Sequence, residues 1–339
     1  MASDGSRRGA LAVEVTSRCN RACQYCYNEC RGDSVFPDDT GAEELAALTN
    51  RVLDESGFSA VQITGGEPLL YPGLWDFIAS ISRSGRRISL VTDGALVDEQ
   101  VIGKLRSLAV APVQPTLLSS DRELHNELKG ASCFDDTVGA IAAMKKAGIP
   151  VSVSFVCTKK NWSHFKGMVE LCFALGVKVL AFSRFCTAGL GRRNQEHLAP
   201  DATMIRHCLE VAQEANTRLG MKVQIAISLP LCVVDGAKTP DLKFGRCALS
   251  TDSPGFTMDA TGNLRACSIS STVLGNLQQE SWQTIVSRAE MEYFANMCRV
   301  REMCGDCTLV HRCGGGCRES ALGTCGDFGH PDPLVTQAK

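Results

Sequence analysis

Short apolar runs alternate with amphipathic segments of helical period through the first half of the 339-residue chain, and this alternation constrains the fold most. Apolar strands separated by amphipathic helices are typical of a parallel sheet that is buried on both faces. We predict six strands, at Leu11–Thr16, Ala60–Thr64, Ile88–Val91, Ala111–Leu117, Val151–Val156 and Val177–Phe182. In barrels with this order of elements, chemistry gathers at the carboxyl ends of the strands.

Three cysteines follow the first predicted strand at the spacing C-x3-C-x2-C. They are Cys19, Cys23 and Cys26, and the aromatic Tyr25 precedes the third. One loop with this spacing can hold three corners of a [4Fe–4S] cluster and leave the fourth iron without a protein ligand, whereas electron carriers use four thiolates. Zinc is the alternative, but structural zinc sites usually pair C-x2-C knuckles. The spacing therefore favours a cluster to which something else binds.

Two glycine motifs end the next two strands. Gly65, Gly66, Glu67 and Pro68 follow the second strand, and Thr92-Asp93-Gly94 follows the third. Each motif alone is weak, because such a segment is often just a turn. Together, in order and after the cysteine loop, they resemble the radical S-adenosylmethionine (SAM) superfamily.

That resemblance implies an α/β fold with a partial (β/α)6 TIM-like barrel, and a [4Fe–4S] cluster held by the three cysteines. It also implies that the open iron chelates SAM and that the glycines let the backbone approach it. The SAM contacts that it implies are Tyr25, Gly65, Gly66, Glu67, Pro68, Thr92, Thr116 and Arg184. A surface salt bridge is the alternative for Arg184. His125, in a family-like segment, is expected to be a structural hydrogen-bonding residue rather than a base.

A second field of cysteines occupies the C-terminal part of the chain. Its spacing is C-x19-C with Gly262 between, then C-x2-C-x5-C-x3-C and one more cysteine: Cys247, Cys267, Cys304, Cys307, Cys313, Cys317 and Cys325. The first pair flanks a predicted hairpin with turn residues at Asp259 and Gly262. This layout is similar to the SPASM domain, although a zinc ribbon is the alternative.

The SPASM resemblance implies two auxiliary iron–sulfur clusters, expected to be of the [4Fe–4S] type. The distal cluster takes four cysteines: Cys304, Cys307, Cys313 and Cys325. The inner cluster takes Cys247, Cys267 and Cys317, so its fourth iron is either open or bound by Cys298 or by an oxygen ligand. Seven cysteines fall outside both frameworks and are expected to be small buried hydrophobes: Cys30, Cys133, Cys157, Cys172, Cys186, Cys208 and Cys232. Of these, Cys186 follows the sixth strand on the substrate side.

The remaining sequence predicts the domain organisation. We expect a disordered N-terminus at 1–10, the barrel at 11–195, a bridging helix and strand at 196–244, the SPASM domain at 245–330 and a flexible tail at 331–339. The formal charge of −2 gives no basic excess for nucleic acid, and no apolar run approaches a membrane span. Eighteen cysteines indicate metal or redox chemistry in a reducing cytoplasm rather than disulfides.

The expected function is that of a radical SAM oxidoreductase. It would cleave SAM reductively to a 5′-deoxyadenosyl radical and abstract hydrogen from a substrate. The substrate would be a ribosomal peptide or protein side chain that is oxidised or crosslinked; the alternatives are a small molecule or tetrapyrrole, or a non-catalytic electron carrier. We expect an external reductant such as flavodoxin or ferredoxin and, if a leader must be bound, a separate protein, since little chain precedes Leu11. No catalytic acid or base is predicted.

Overall fold

The computed structural model describes most of the chain, and the account below is confined to these residues: 7–28, 40–247, 249, 255–288, 300, 304 and 306–336. Cys30 and Cys298 lie outside them. Of the described helices, none is long and apolar enough to span a bilayer.

Seven parallel strands form the barrel. They are β1 (Arg7–Glu14), β2 (Phe58–Thr64), β3 (Arg87–Thr92), β4 (Val113–Pro115), β5 (Ser152–Cys157), β6 (Val179–Arg184) and β7 (Lys222–Ile225). Neighbours pair in parallel from β1 to β4 and from β5 to β7. Single bridges, such as Thr116 to Ser154, join the two groups. The predicted partial barrel is confirmed, and the strand predicted for the bridging segment 196–244 continues it.

Helices connect the strands. They are α1 (Ala42–Ser56), α2 (Leu74–Arg83), α3 (Glu99–Ser107), α4 (Arg122–Lys129), α5 (Phe134–Lys146), α6 (Phe165–Ala174), α7 (Gln195–Leu198) and α8 (Ala202–Leu219). Asp98, Asp121 and Asp201 cap the first turns of α3, α4 and α8 by accepting a backbone N–H at 2.8 Å. Helix α4 was not predicted, because it is short and mostly polar.

The two faces of the barrel strands differ in chemistry. Residues that face the helices are apolar and buried, such as Leu11, Val61 and Phe155. Residues of the other face are small or polar, and they line a cavity inside the barrel: Ala12, Gln62, Thr64, Gln114, Thr116, Ser154, Ser183 and Gln224. The strands were predicted to be continuously apolar. They alternate instead, because their inner face borders a cavity rather than a packed core.

The cysteine-rich part joins the barrel sheet directly. It comprises β8 (Thr257–Asp259), β9 (Asn263–Arg265), β10 (Val273–Asn276), α9 (Trp282–Val286), α10 (Val310–Cys313), α11 (Arg318–Cys325) and α12 (Pro333–Thr336). The predicted hairpin is confirmed as β8 and β9, and β8 also pairs in parallel with β1. One sheet therefore runs from the hairpin into the barrel, in the order β10-β9-β8-β1-β2-β3-β4.

Two predicted boundaries need correction. Strand β1 begins at Arg7, inside the segment predicted to be disordered, because Arg7 already pairs with Phe58 of β2. The tail after residue 330 was predicted to be flexible, yet Asp332, Leu334 and Val335 are buried. Asp332 is held there by an ion pair with Arg184.

Candidate active site

The loop that carries Cys19, Cys23 and Cys26 is attached to the end of β2 through backbone contacts. The N–H of Gly66 donates to the carbonyl oxygen of Thr16, and that of Glu67 donates to Arg18, both at 2.8 Å. A Cβ at Gly66 would overlap the Arg18 carbonyl oxygen. The absence of a side chain at Gly66 thus makes room for the base of the cysteine loop, in addition to the approach of SAM that we expected there.

Two further glycines bind the same loop from other sides. Gly130 ends α4 with φ +65°, and a Cβ there would lie 2.7 Å from the carbonyl oxygen of Ala22. Gly191, after β6, donates its N–H to the Cys26 carbonyl oxygen at 2.7 Å. Three parts of the barrel that are distant in sequence therefore fix the backbone of the cysteine loop.

Glu67 connects the ends of β2 and β3. Its carboxylate is buried and accepts hydrogen bonds from the Thr92 hydroxyl and the Asp93 N–H at 2.7 Å each, and from the Leu69 N–H at 3.2 Å. Burial, together with the nearby Asp93 carboxylate, raises the pKa of Glu67 to about 7. Arg21 of the cysteine loop forms an ion pair with Asp93. The two glycine motifs are thus one hydrogen-bonded unit.

A first cavity brings most of the predicted residues together. All three cysteines of the loop line it, and with them Tyr25, Gly65, Gly66, Glu67, Thr92 and Thr116. Pro68 is not among its lining residues, since it is buried in the one-turn helix that Glu67 caps. Among the described residues, no three His, Cys, Asp or Glu side chains are arranged to share a single metal ion.

The second, larger cavity is the interior of the barrel. Tyr25, Tyr27 and Thr116 line both cavities, so the two adjoin each other. Four cysteines are among its lining residues: Cys186, Cys247, Cys267 and Cys317. The structure therefore gathers the three cysteines of the predicted inner set and adds Cys186 to them.

Tyr27 stands between the cysteine loop and the second cysteine field. Its side chain hydrogen-bonds with Ser268, the residue after Cys267. Burial raises the pKa of the Tyr27 phenol, and the Glu14 carboxylate adds to the rise. This aromatic residue was not singled out from the sequence, where only its position next to Cys26 sets it apart.

Comparison with protein families gives a match to the radical SAM superfamily over residues 13–172, which contain the end of β1, the cysteine loop, both glycine motifs and strands β2 to β5. Residues 13–172 form a radical SAM domain. Its relatives carry enzyme names, and the protein is a radical SAM enzyme.

Two relatives are similar over nearly the whole radical SAM chain. An AdoMet-dependent heme synthase of Oleidesulfovibrio alaskensis is 26% identical over 345 residues, covering 96% of this chain and 86% of the relative. A PqqA peptide cyclase of Streptomyces rochei is 26% identical over 334 residues, covering 97% and 89%.

Two solved structures share the fold. Streptococcus suis SuiB bound to its precursor peptide SuiA superposes with a TM-score of 0.77 at 15% identity, covering 98% of this chain and 76% of SuiB. The structure of anSMEcpe with bound AdoMet has a TM-score of 0.75 at 19% identity, covering 97% of this chain and 94% of the other. At these identities the likeness concerns the fold.

Arg184 does not take the position expected of it in this radical SAM enzyme. It does not line the first cavity, and its guanidinium forms an ion pair with Asp332; the two side chains are 4% and 0% exposed. The Asp332 carboxylate also accepts the Cys317 N–H at 2.8 Å. The pair is buried rather than on the surface, and it joins the end of β6 to the second cysteine field.

The predicted distal cysteines are spread between the interior and the surface. Cys304 and Cys313 are buried, while Cys307 and Cys325 are exposed. Cys232, predicted to be a buried hydrophobe, is also exposed, and it lies near enough to Cys304 for their charges to interact. Cys232 therefore lies near the predicted distal cysteines and not in the apolar core.

His125 has the structural role that we expected. It is fully buried, and its Nδ1 accepts the Leu118 N–H at 3.3 Å while Nε2 lies 3.6 Å from the Cys133 sulfur. Burial lowers the pKa of His125 to about 3, helped by the charges of Lys129 and Arg21. The imidazole is therefore neutral and held away from both cavities.

Proposed function

We propose that this radical SAM enzyme modifies a ribosomally made peptide, oxidising or crosslinking one of its side chains. The observation that carries the proposal is the barrel cavity. It is lined both by Tyr25 and Tyr27, from the region of the cysteine loop, and by Cys247, Cys267 and Cys317. A substrate inside it would contact the SAM site and the second cysteine field at once.

The cysteine loop suits a [4Fe–4S] cluster. Cys19, Cys23 and Cys26 are partly exposed and open into one cavity, on a backbone fixed by glycine contacts. When bound, the cluster supplies the electron that cleaves SAM to methionine and a 5′-deoxyadenosyl radical. The protein's part is to bind and orient SAM and to exclude water.

For SAM, we assign the first cavity, which the three cysteines of the loop also line. The backbone of Gly65 and Gly66 and the ring of Tyr25 face this space. Glu67 acts on SAM through position: the hydrogen bonds that it accepts from Thr92 and Asp93 hold the end of β3 beside the end of β2.

We assign the second cysteine field to two auxiliary clusters. Cys247 and Cys317 hydrogen-bond to each other, and Cys267 lines the barrel cavity together with them. Thiolates that converge from separate segments are the ligands that iron–sulfur clusters use. The distal cluster would use Cys304, Cys307, Cys313 and Cys325, the set that the SPASM resemblance implies.

The chemistry of the cavity favours a peptide. Its inner wall carries side-chain amides and hydroxyls, including Gln62, Gln114 and Ser154, which can pair with peptide N–H and C=O groups. Among its described lining residues only Arg184 and Arg246 are charged, and Arg184 is paired with Asp332. A tetrapyrrole with several carboxylates would call for more cations.

The names of the relatives support both substrate classes. A PqqA peptide cyclase and a peptide-bound SuiB accord with a peptide, whereas AdoMet-dependent heme synthases keep the tetrapyrrole as the second candidate. As in the sequence-based expectation, electrons would come from a flavodoxin or ferredoxin, and a separate protein would bind a leader if one is needed.

The test is anaerobic turnover with each substrate class. Reconstituted enzyme is incubated with SAM, a reductant and either a precursor peptide encoded beside its gene or a tetrapyrrole bearing propionates, and products are analysed by mass spectrometry. We expect peptide that has lost hydrogen and an accompanying rise in 5′-deoxyadenosine. A modified tetrapyrrole with unchanged peptide would overturn the proposal in favour of the second candidate.

A further inference from the structure

Cys186 is placed among the cysteines of the inner set although it belongs to the barrel. It follows β6 by two residues and is 3% exposed. Its sulfur lies 3.6 Å from the sulfur of Cys317 and 2.9 Å from the Ser320 hydroxyl. Cys317 also hydrogen-bonds to Cys247, so its sulfur stands between two other thiols.

The segment that carries Cys186 is fixed to the segment that carries Cys317. A Cβ at Gly323 of α11 would overlap the carbonyl oxygen of Thr187, so α11 rests directly on this backbone. The Thr324 hydroxyl also lies 3.3 Å from that of Thr187. On the other side, the ion pair of Arg184 and Asp332 ties the end of β6 to the Cys317 backbone.

Other buried cysteines have a different setting. The Cys172 sulfur lies 3.4 Å from the Met168 sulfur within α6, and Cys157 contacts Cys208 at 3.8 Å in the apolar core. None of these three lines the barrel cavity. Burial alone therefore does not explain why Cys186 lines the barrel cavity.

We propose that Cys186 is the fourth thiolate ligand of the inner auxiliary cluster, with Cys247, Cys267 and Cys317. This inference rests on the proposal that those three cysteines hold a cluster. It closes the site that the sequence left either open or bound by Cys298. A cluster with four thiolates has no iron open to substrate, and it joins the barrel strand to the cysteine-rich part.

The test uses a parent protein in which Cys19, Cys23 and Cys26 are replaced by Ala, so that only auxiliary clusters contribute. Cys186→Ala is compared with Cys172→Ala, a control in the core. Iron, sulfide and the electron paramagnetic resonance (EPR) of the reduced protein are measured. We expect the parent and the control to hold about eight irons and Cys186→Ala to lose about four, or to keep them with an altered inner-cluster signal.

A second variant protects the test against misfolding. Cys186→Ser keeps the size of the side chain and offers oxygen as a ligand, so we expect a retained cluster whose EPR signal is shifted. Unchanged iron and EPR signals in both Cys186 variants, with the parent holding both clusters, would overturn the inference. A parent that binds no iron would instead contradict the proposed auxiliary clusters themselves.

Discussion

The N–H of Gly66 donates to the carbonyl oxygen of Thr16 at 2.8 Å, and this contact fixes the end of β2 against the base of the cysteine loop. The neighbouring Arg18 carbonyl leaves no space for a side chain at Gly66. The glycine motif therefore supports the cysteine loop as well as lining the first cavity.

We predict that Gly66→Ala impairs cluster assembly at the loop. The added methyl group must displace the Arg18 backbone, which leads into Cys19. Iron in the reconstituted protein should fall by about four per chain, and 5′-deoxyadenosine formation should be lost with it. Gly139→Ala in α5, where a Cβ meets open space, is the matched control and should leave both unchanged. Normal iron content in Gly66→Ala would contradict this role.

Glu14 and Arg265 form a buried ion pair between β1 and the hairpin, with side chains 1% and 5% exposed. Arg265→Met should lower the free energy of unfolding by about 3–5 kcal/mol, since it leaves a buried carboxylate without its partner. Adding Glu14→Gln should recover part of that loss. Anaerobic chemical denaturation followed by circular dichroism measures both.

The control for this pair is Lys238→Met, because Lys238 pairs with Glu210 on the surface, where the two side chains are 60% and 43% exposed. Its effect should be much smaller than that of Arg265→Met, because solvent screens an exposed pair. An Arg265→Met effect as small as that of Lys238→Met would show that the pair does not hold the hairpin to the barrel.

His125 predicts a dependence of stability on pH. Its pKa is about 3 in the folded protein and about 6.5 when unfolded, so protons bind more readily to the unfolded chain. The stabilisation is complete above pH 6.5 and is lost as pH falls towards 3. Between pH 6.5 and 5 the loss is about 2 kcal/mol. His125→Asn should remove this part of the slope, and an identical slope in the two proteins would refute the assignment.

The polar wall of the barrel predicts an effect on substrate rather than on SAM. Gln114→Leu removes an amide from the cavity, and the loss of one hydrogen bond, about 0.5–1.5 kcal/mol, should raise the KM for peptide roughly 2- to 10-fold. SAM cleavage without peptide should stay as in wild type. Gln283→Leu, on the exposed side of α9, is the control. A changed KM for SAM with an unchanged KM for peptide would argue against peptide in this cavity.

Local patterns predicted much of the fold and of the first cavity. The cysteine loop, the two glycine motifs and the barrel strands each have a signal within a few residues, and their order along the chain placed them at the strand ends. The polar inner face was not recognised, although Gln62, Gln114 and Gln224 alternate with apolar residues in their strands. The apolar residues of each strand led us to predict that both of its faces are buried. No sequence pattern indicates that the inner face borders a cavity.

Long-range pairings account for what the sequence did not predict. Strand β8 pairs with β1, and Arg184 pairs with Asp332. The partners are far apart in the sequence, and no local pattern in either segment indicates which residues it will pair with. The same holds for Cys186: its residue type was visible, but its neighbours Cys317 and Ser320 come from the far end of the chain.

The most direct test of the account is the measurement of 5′-deoxyadenosine and iron in the protein with Cys19, Cys23 and Cys26 replaced by Ala. Wild type, reduced anaerobically with SAM, should hold about twelve irons and release 5′-deoxyadenosine. The variant should release none, yet keep about eight irons in the second cysteine field. Release of 5′-deoxyadenosine by the variant would show that SAM is cleaved elsewhere and would contradict the central claim.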